Sequence, residues 1–123
     1  MSMQRSDDIV RIDSGLLRGA QGNDPQVRVF RGIPFAAPPV GELRWRPPQP
    51  PAPWSGVRNG DAFGPTCPQF PRRPGSFYQL EFYVQEEPQS EDCLYLNIWT
   101  AARHAQEKRP VMVWFHGGGF VEG

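Results

Sequence analysis

The chain has 123 residues, of which 13 are basic and 13 are acidic, so its formal net charge is zero. This balance gives no general attraction for nucleic acid or for an anionic membrane surface, and no apolar stretch is long enough to span a bilayer. Glycine and proline contribute 13 and 15 residues, but four Trp, three Tyr and eight Phe favour a packed, loop-rich structure over disorder. Residues 1–8 lack the apolar segment of a secretory signal, which favours a cytoplasmic location.

The first third of the sequence has the pattern of short strands. Residues 9–12, 16–19 and 27–31 carry apolar side chains and are separated by the turn sequences Asp13-Ser14-Gly15 and Gly22-Asn23-Asp24-Pro25. They predict a small antiparallel meander of three strands. The chain that follows should be extended, because each proline fixes φ and disfavours helix in the residue before it.

Residues 40–71 are predicted to be irregular, and the segment from Pro47 to Trp54 is the most biased part of the chain. Its overlapping P-x-x-P spacings allow two interpretations. It could be a polyproline ligand for an SH3-like or WW-like partner. Alternatively, it is an extended segment that crosses a domain surface, with Trp54 packed beneath it. The second is favoured, since proline-rich ligands usually lie in polar disordered tails.

The last part of the sequence predicts a short helix and two strands. Residues 77–85 mix aromatic and polar side chains and are assigned the helix. Residues 93–100 alternate cleanly and predict a strand, and residues 101–109 form a polar loop. Pro110 cannot donate a ladder hydrogen bond, so it suits the first position of a strand that continues through Val111–Phe115. Five consecutive apolar residues predict that this strand is buried on both faces.

Three glycines follow that strand, in the sequence His116-Gly117-Gly118-Gly119. A dinucleotide fingerprint is disfavoured because Glu122 occupies its third glycine position, and a P-loop is disfavoured because no lysine follows. The remaining use is an oxyanion hole, in which consecutive backbone N–H groups stabilise the oxygen that becomes negative during attack on an ester carbonyl.

With these residues the chain resembles the type-B carboxylesterases, the cholinesterase-like branch of the α/β-hydrolases. The segments that carry the resemblance are Phe30-Arg-Gly-Ile-Pro-Phe-Ala-Ala-Pro-Pro-Val-Gly-Glu-Leu-Arg-Trp45, Pro53-Trp-Ser-Gly56, Ser90-Glu-Asp-Cys-Leu-Tyr-Leu-Asn-Ile-Trp-Thr100 and Val111 to Gly119. The resemblance implies an α/β fold, of which residues 1–123 form the N-terminal part of a single α/β-hydrolase catalytic domain. This part would contain the meander, the irregular proline-rich segment and the first strands of a mostly parallel central sheet.

The resemblance also implies an activity and a division of roles. Gly118 and Gly119 would donate backbone N–H groups to the oxyanion, with His116 and Gly117 supporting the motif and no metal or cofactor taking part. The substrate would be a small carboxylic ester. None of the six serines lies in a G-x-S-x-G motif, so the serine, acid and histidine of the triad are expected further along the same protein. The 123-residue chain alone is therefore expected to be inactive.

The resemblance also implies two pairs of interacting side chains. Cys67 and Cys93 match the first disulfide of the family, which closes a loop beside the active site. That bond would stabilise the fold by about 3–4 kcal/mol on the chain-entropy model and would favour a secreted protein; the alternative is two reduced thiols in a cytoplasmic enzyme. Arg44 and Glu91 match a buried ion pair, with a plain surface charge as the alternative. The loop between the cysteines contains no tryptophan, so a general carboxylesterase is expected rather than a choline-specific enzyme.

A non-catalytic adhesion or binding domain of the same fold is the competing hypothesis, since family members that have lost the triad keep the scaffold. The intact glycines of residues 117–119 favour the enzyme, because a binding module has no need for bare backbone at that turn.

Overall fold

Six strands, one helix and two 3₁₀ turns form the part of the chain that the structure, a computed structural model, describes: residues 9–71, 74–81, 88–119 and 123. The strands are β1 (Ile9–Ile12), β2 (Gly15–Arg18), β3 (Ala20–Gln21), β4 (Arg28–Pro34), β5 (Val57–Asn59) and β6 (Tyr95–Thr100). Helix α1 is Phe77–Glu81, and the 3₁₀ turns are Gly41–Leu43 and Ala105–Glu107. Within these residues no helix has the length and apolar character needed to cross a membrane.

The first sheet has the order β1-β2-β5. Strands β1 and β2 form the antiparallel hairpin that the sequence predicts, and β5 joins β2 in parallel. Trp54 fastens the proline-rich segment to this hairpin, because its backbone N–H donates to the Ser14 carbonyl at 2.9 Å and its indole Nε1 to the Leu16 carbonyl at 2.8 Å. A Cβ atom at Gly15 would meet that indole ring. The arrangement agrees with the extended surface segment and leaves the ligand hypothesis untested.

The second sheet has the order β3-β4-β6, and all of its pairings are antiparallel. The prediction of a single meander is therefore wrong in its third strand, which pairs with β6 and not with β2. The chain leaves the first sheet at Gly19, where a Cβ atom would lie 2.8 Å from the Phe30 ring. The partners of β4 in β6 are distant in sequence, from Tyr95 opposite Pro34 to Thr100 opposite Arg28, and local sequence patterns cannot specify such a pairing.

A β-bulge interrupts the pairing of β4 with β6 between Phe30 and Ile33. Gly32 lies in the left-handed region there, with φ of 61°, and a Cβ atom would lie 2.7 Å from the Ala62 carbonyl oxygen. The bulge leaves the Gly32 N–H outside the ladder, and the Oδ1 atom of Asn97 accepts its hydrogen bond at 3.0 Å. Asn97 thus satisfies the backbone donor that the bulge frees.

The core joins the two sheets. Leu17 of β2 packs with Phe30 and Ile33 of β4, and all three side chains are at most 6% exposed. Val10 and Ile12 of β1 cover this cluster from the hairpin side. Because burial of a large apolar side chain contributes about 1.5–3 kcal/mol, this contact holds the hairpin against the strand that leads to the proline-rich segment.

The prediction of a buried strand over Val111–Phe115, beginning at Pro110, is wrong in this structure. These residues form no ladder, and their exposed fractions run from 68% for Val113 to 93% for Met112. A strand needs a neighbour for its backbone donors and acceptors, and no described strand pairs with this segment. The mostly parallel central sheet is likewise not represented in the described ranges, where parallel pairing joins β2 to β5 and Thr66 to Gln89.

The other predicted elements differ from the structure mainly in their limits. The helix predicted over residues 77–85 begins at Phe77 and is described to Glu81, while residues 82–87 lie outside the described residues. The strand predicted over residues 93–100 is observed as β6, which begins two residues later. The polar connection that follows contains the 3₁₀ turn Ala105–Glu107.

Candidate active site

The glycine motif forms an exposed turn at residues 116–119. Gly118 has φ of 115° and Gly119 has φ of 61°, values that residues with a Cβ atom rarely adopt. At Gly117 and Gly119 an added Cβ atom would meet nothing within 4 Å. The backbone conformation, rather than crowding, is therefore what requires glycine at Gly119. Such a turn presents its backbone to solvent without side chains that would obstruct a ligand.

His116 is engaged in contacts with the same loop. Its Nδ1 atom lies 2.7 Å from the Gly117 carbonyl oxygen, which can only accept, so Nδ1 carries the proton in this contact. A Cβ atom at Gly123 would collide with the His116 ring. The ring thus lies beside the Gly117 carbonyl and against the Gly123 backbone, and the supporting role of His116 in the motif remains a prediction.

Gln69 contacts Gly123, although no sequence pattern singles out Gln69. Its Nε2 atom donates to the Gly123 carbonyl oxygen at 2.8 Å, and its Oε1 atom accepts from the Gly123 N–H at 3.2 Å. Side-chain contacts to backbone leave no pattern in a single sequence. The available signal was position alone, since Gln69 lies two residues after Cys67 in the loop that the resemblance placed beside the site.

Cys67 and Cys93 lie together as free thiols, with 2.9 Å between their sulfur atoms. The Thr66–Gln89 bridge brings the two ends of their loop side by side, with Ser90 N–H donating to the Thr66 carbonyl at 2.9 Å. Burial, together with the hydrogen bond and charge of Cys67, raises the pKa of the Cys93 thiol to about 12. The disulfide implied by the resemblance remains a prediction.

Arg44 and Glu91 form a bidentate ion pair. Nε and Nη2 of Arg44 donate to Oε1 and Oε2 of Glu91, each at 2.6 Å. The hydrogen bond from Arg44 holds the pKa of Glu91 below its ordinary value, and the bond to Glu91 raises the pKa of Arg44. The side chains are 51% and 45% exposed, so the pair is not buried here. Glu91 also accepts from the Cys93 N–H through its carbonyl at 3.1 Å, which places the ion pair beside the thiols.

The site is incomplete as a catalytic centre within the described residues. Ser14 lies in the hairpin turn, and the Oγ atom of Ser90 accepts from the Asp92 N–H at 3.1 Å. These serines have local roles in turns, and neither contacts a histidine. No cluster of His, Cys, Asp or Glu suited to a metal ion occurs in the ranges that the structure describes. Within the described ranges, the glycine turn presents bare backbone, and neither Ser14 nor Ser90 is part of it.

Comparisons with known proteins agree on one family. The model of the carboxylesterase family matches residues 6–123. Fumonisin B1 esterase of Sphingopyxis macrogoltabida is 49% identical over 111 residues, which cover 89% of this chain and 18% of that protein. Phenmedipham hydrolase of Pseudarthrobacter oxydans is 50% identical over 95 residues, covering 77% of this chain and 19% of that protein.

Solved structures of esterases share the fold. A carboxylesterase of Geobacillus stearothermophilus is 42% identical with a TM-score of 0.74, and the match covers 94% of this chain and 21% of that one. A PNB esterase is 40% identical with a TM-score of 0.78, over 96% and 23% of the two chains. The present chain thus spans about a fifth of the length of the proteins it matches, and its strands are part of an α/β-hydrolase fold.

Proposed function

This chain belongs to the carboxylesterase family, and from that premise we propose that the full-length protein hydrolyses carboxylic esters through an acyl-serine intermediate. The observation that supports this proposal most strongly is the glycine turn. Gly118 and Gly119 follow His116 and Gly117 in the order of the oxyanion motif, and both glycines have positive φ. The turn exposes backbone without side chains, as an oxyanion hole requires.

In the proposed reaction a serine oxygen attacks the ester carbonyl. The carbonyl oxygen becomes negative, and the N–H groups of Gly118 and Gly119 donate to it, together with the N–H that follows the nucleophile. The alcohol leaves, and water then releases the acid from the acyl-serine. This chemistry needs neither a metal nor a cofactor. The present chain contributes electrostatic stabilisation, while the nucleophile, the acid and the base belong to the remaining part of the protein.

The proposal assigns residues 1–123 to the N-terminal part of one catalytic domain. The exposed apolar segment Val111–Phe115 immediately precedes the glycine turn. We infer that the remaining part of the domain covers this segment, because a contiguous apolar surface of this kind is unfavourable in water. The isolated 123-residue chain is accordingly expected to have no esterase activity.

The proposed substrate is a small carboxylic ester. Between Cys67 and Cys93 the chain has no tryptophan to attract a quaternary ammonium group. Phe70 of this loop is exposed, and Phe82 and Tyr83 lie outside the described residues. A general esterase is therefore proposed in preference to a choline esterase.

Turnover of a p-nitrophenyl ester tests the proposal. The full-length protein should release p-nitrophenolate, and pretreatment with a serine-directed phosphonate should abolish this release and add one phosphonyl group to the protein by mass spectrometry. The purified 123-residue chain should show neither turnover nor labelling. A full-length protein that lacks turnover, or turnover that survives complete phosphonylation, would reject the acyl-serine mechanism.

A further inference from the structure

Gln69 and Gly123 make a contact that joins two loops of the candidate site. The amide of Gln69 pairs with the backbone of Gly123 in both directions, with Nε2 donating at 2.8 Å and Oε1 accepting at 3.2 Å. The side-chain amide thus donates one hydrogen bond to the Gly123 backbone and accepts one from it, the pattern by which a residue of a neighbouring strand would pair with Gly123. Two bonds fix the orientation of the Gly123 backbone as well as its position. We call this pair of hydrogen bonds the Gln69 clasp.

The clasp has a fixed base. The backbone N–H of Gln69 donates to Oε1 of Gln89 at 3.0 Å, and Gln89 is the residue that pairs with Thr66 in the parallel bridge. The Thr66 N–H donates in turn to the Pro88 carbonyl at 3.0 Å. Gln69 is therefore held by the closed base of the Cys67–Cys93 loop, and its side chain extends from an anchored backbone.

At its other end the clasp reaches the glycine turn through His116. The ring of His116 occupies the space that a Cβ atom would need at Gly123, and its Nδ1 atom lies 2.7 Å from the Gly117 carbonyl oxygen. A displacement of Gly123 would remove its contact with the imidazole ring and leave the ring freer to turn away from Gly117. The contacts thus run without a gap from the cysteine loop to the first glycine of the turn.

We propose that Gln69 is a positioning residue for the oxyanion hole, acting through Gly123 and His116 on the backbone of Gly118 and Gly119. The inference rests on the proposed esterase function and adds a residue to it. An exposed turn of three glycines has many accessible conformations, and oxyanion donors stabilise the transition state only when they are aimed correctly before reaction. In this role Gln69 limits the conformations of the glycine turn without contacting the substrate.

Variants of Gln69 in the full-length enzyme test this role. Gln69→Met keeps the length and volume of the side chain and removes both hydrogen bonds. Gln69→Asn keeps the amide but is one methylene shorter, so it does not reach Gly123. For each variant we expect kcat to fall about tenfold, the effect of losing on the order of 1.4 kcal/mol of hydrogen bonding. KM should stay within about twofold of wild type, because the oxyanion forms only in the transition state.

Two further measurements separate positioning from general destabilisation. The affinity for a trifluoromethyl ketone, which forms an oxyanion adduct, should fall by about the same factor as kcat. Gln49 provides the matched control, since its exposed side chain donates to the nearby Pro47 carbonyl at 3.1 Å and lies outside this contact chain. Gln49→Met should leave kcat, KM and inhibitor affinity unchanged.

The outcomes distinguish a failure of the positioning role of Gln69 from a failure of the esterase proposal on which it rests. If Gln69→Met and Gln69→Asn retain wild-type kcat and inhibitor affinity while Gly118→Ala is impaired, the positioning role is wrong and the oxyanion hole stands. A rise in KM with unchanged kcat would also reject positioning. If the wild-type enzyme resists the phosphonate, the esterase proposal itself fails.

Discussion

Arg44 and Glu91 lie 47 residues apart in sequence, and the two ends of the guanidinium donate to the two carboxylate oxygens at 2.6 Å each. The pair connects the 3₁₀ turn Gly41–Leu43, just before Arg44, to the segment that enters β6. Because the two hydrogen bonds are bidentate, a lysine at position 44 could not reproduce them. The ion pair thus orients the residues next to Cys93.

The stabilisation from this ion pair should depend on pH through Glu91. Its pKa in the folded protein is lower than the ordinary value of 4.5 because Arg44 donates to the ionised carboxylate. A depressed folded pKa means that the stabilisation is fully present above pH 4.5 and is lost as the pH falls through the folded value. Glu91→Gln should therefore lower the unfolding midpoint of the full-length protein at pH 7, and the difference from wild type should shrink below pH 4.5.

Glu42→Gln is the matched control for this series, since Glu42 is an exposed glutamate two residues before Arg44. It should change the midpoint little at either pH. Thermal unfolding followed by circular dichroism gives the midpoints. A Glu91→Gln deficit that stays constant from pH 7 to pH 3 would show that the carboxylate charge is not the source of the stabilisation.

Asn97 should contribute to stability through the bulge in β4. Its Oδ1 atom accepts from the partly buried Gly32 N–H at 3.0 Å, and Asn97→Ala leaves that donor without its partner. The expected cost is about 1–3 kcal/mol, as for other unsatisfied buried donors. Chemical denaturation of the full-length protein measures it. Asn59→Ala changes an exposed asparagine of β5 and should cost less than about 0.5 kcal/mol; equal costs at the two positions would contradict the bulge-capping role.

The two thiols should react at different rates in the reduced protein. Since burial and the contact with Cys67 raise the pKa of Cys93 to about 12, this thiol stays protonated at pH 8, and the thiolate is the reactive form. Cys67 is the more exposed of the pair. Brief treatment with iodoacetamide at pH 8, followed by peptide mass spectrometry, should find Cys67 alkylated first. Faster labelling of Cys93 would contradict the proposed burial of its thiol.

The sequence predicted the elements that depend on neighbouring residues. Turn residues at Asp13-Ser14 marked the first hairpin, and clean alternation marked β6. The pairing of β4 with β6 depends on contacts distant in sequence, so a local pattern could not reveal it. The strand predicted over Val111–Phe115 was wrong for a related reason. Apolar residues predict burial, but a strand also needs a neighbouring strand to pair with its backbone donors and acceptors.

The candidate site was predictable to the extent that its residues form motifs. The glycines of residues 117–119 were found because three in a row form a recognisable motif, and positive φ explains glycine at Gly118 and Gly119. Arg44 and Glu91 were paired only through the family resemblance, since charges so far apart in sequence have no pattern of their own. Gln69 was missed because its partners are the backbone atoms of Gly123, which any sequence provides.

The most direct measurement of the central claim compares two glycine variants of the full-length enzyme. Gly118 has φ of 115°, so Gly118→Ala should force the turn to rearrange and should lower kcat by about 10²–10³, the effect of removing one oxyanion donor. Gly56 also has positive φ, at 72°, and an added Cβ atom there would meet nothing within 4 Å. Gly56→Ala should therefore leave kcat near the wild-type value. A Gly118→Ala enzyme whose kcat equals that of Gly56→Ala would show that this turn is not the oxyanion hole.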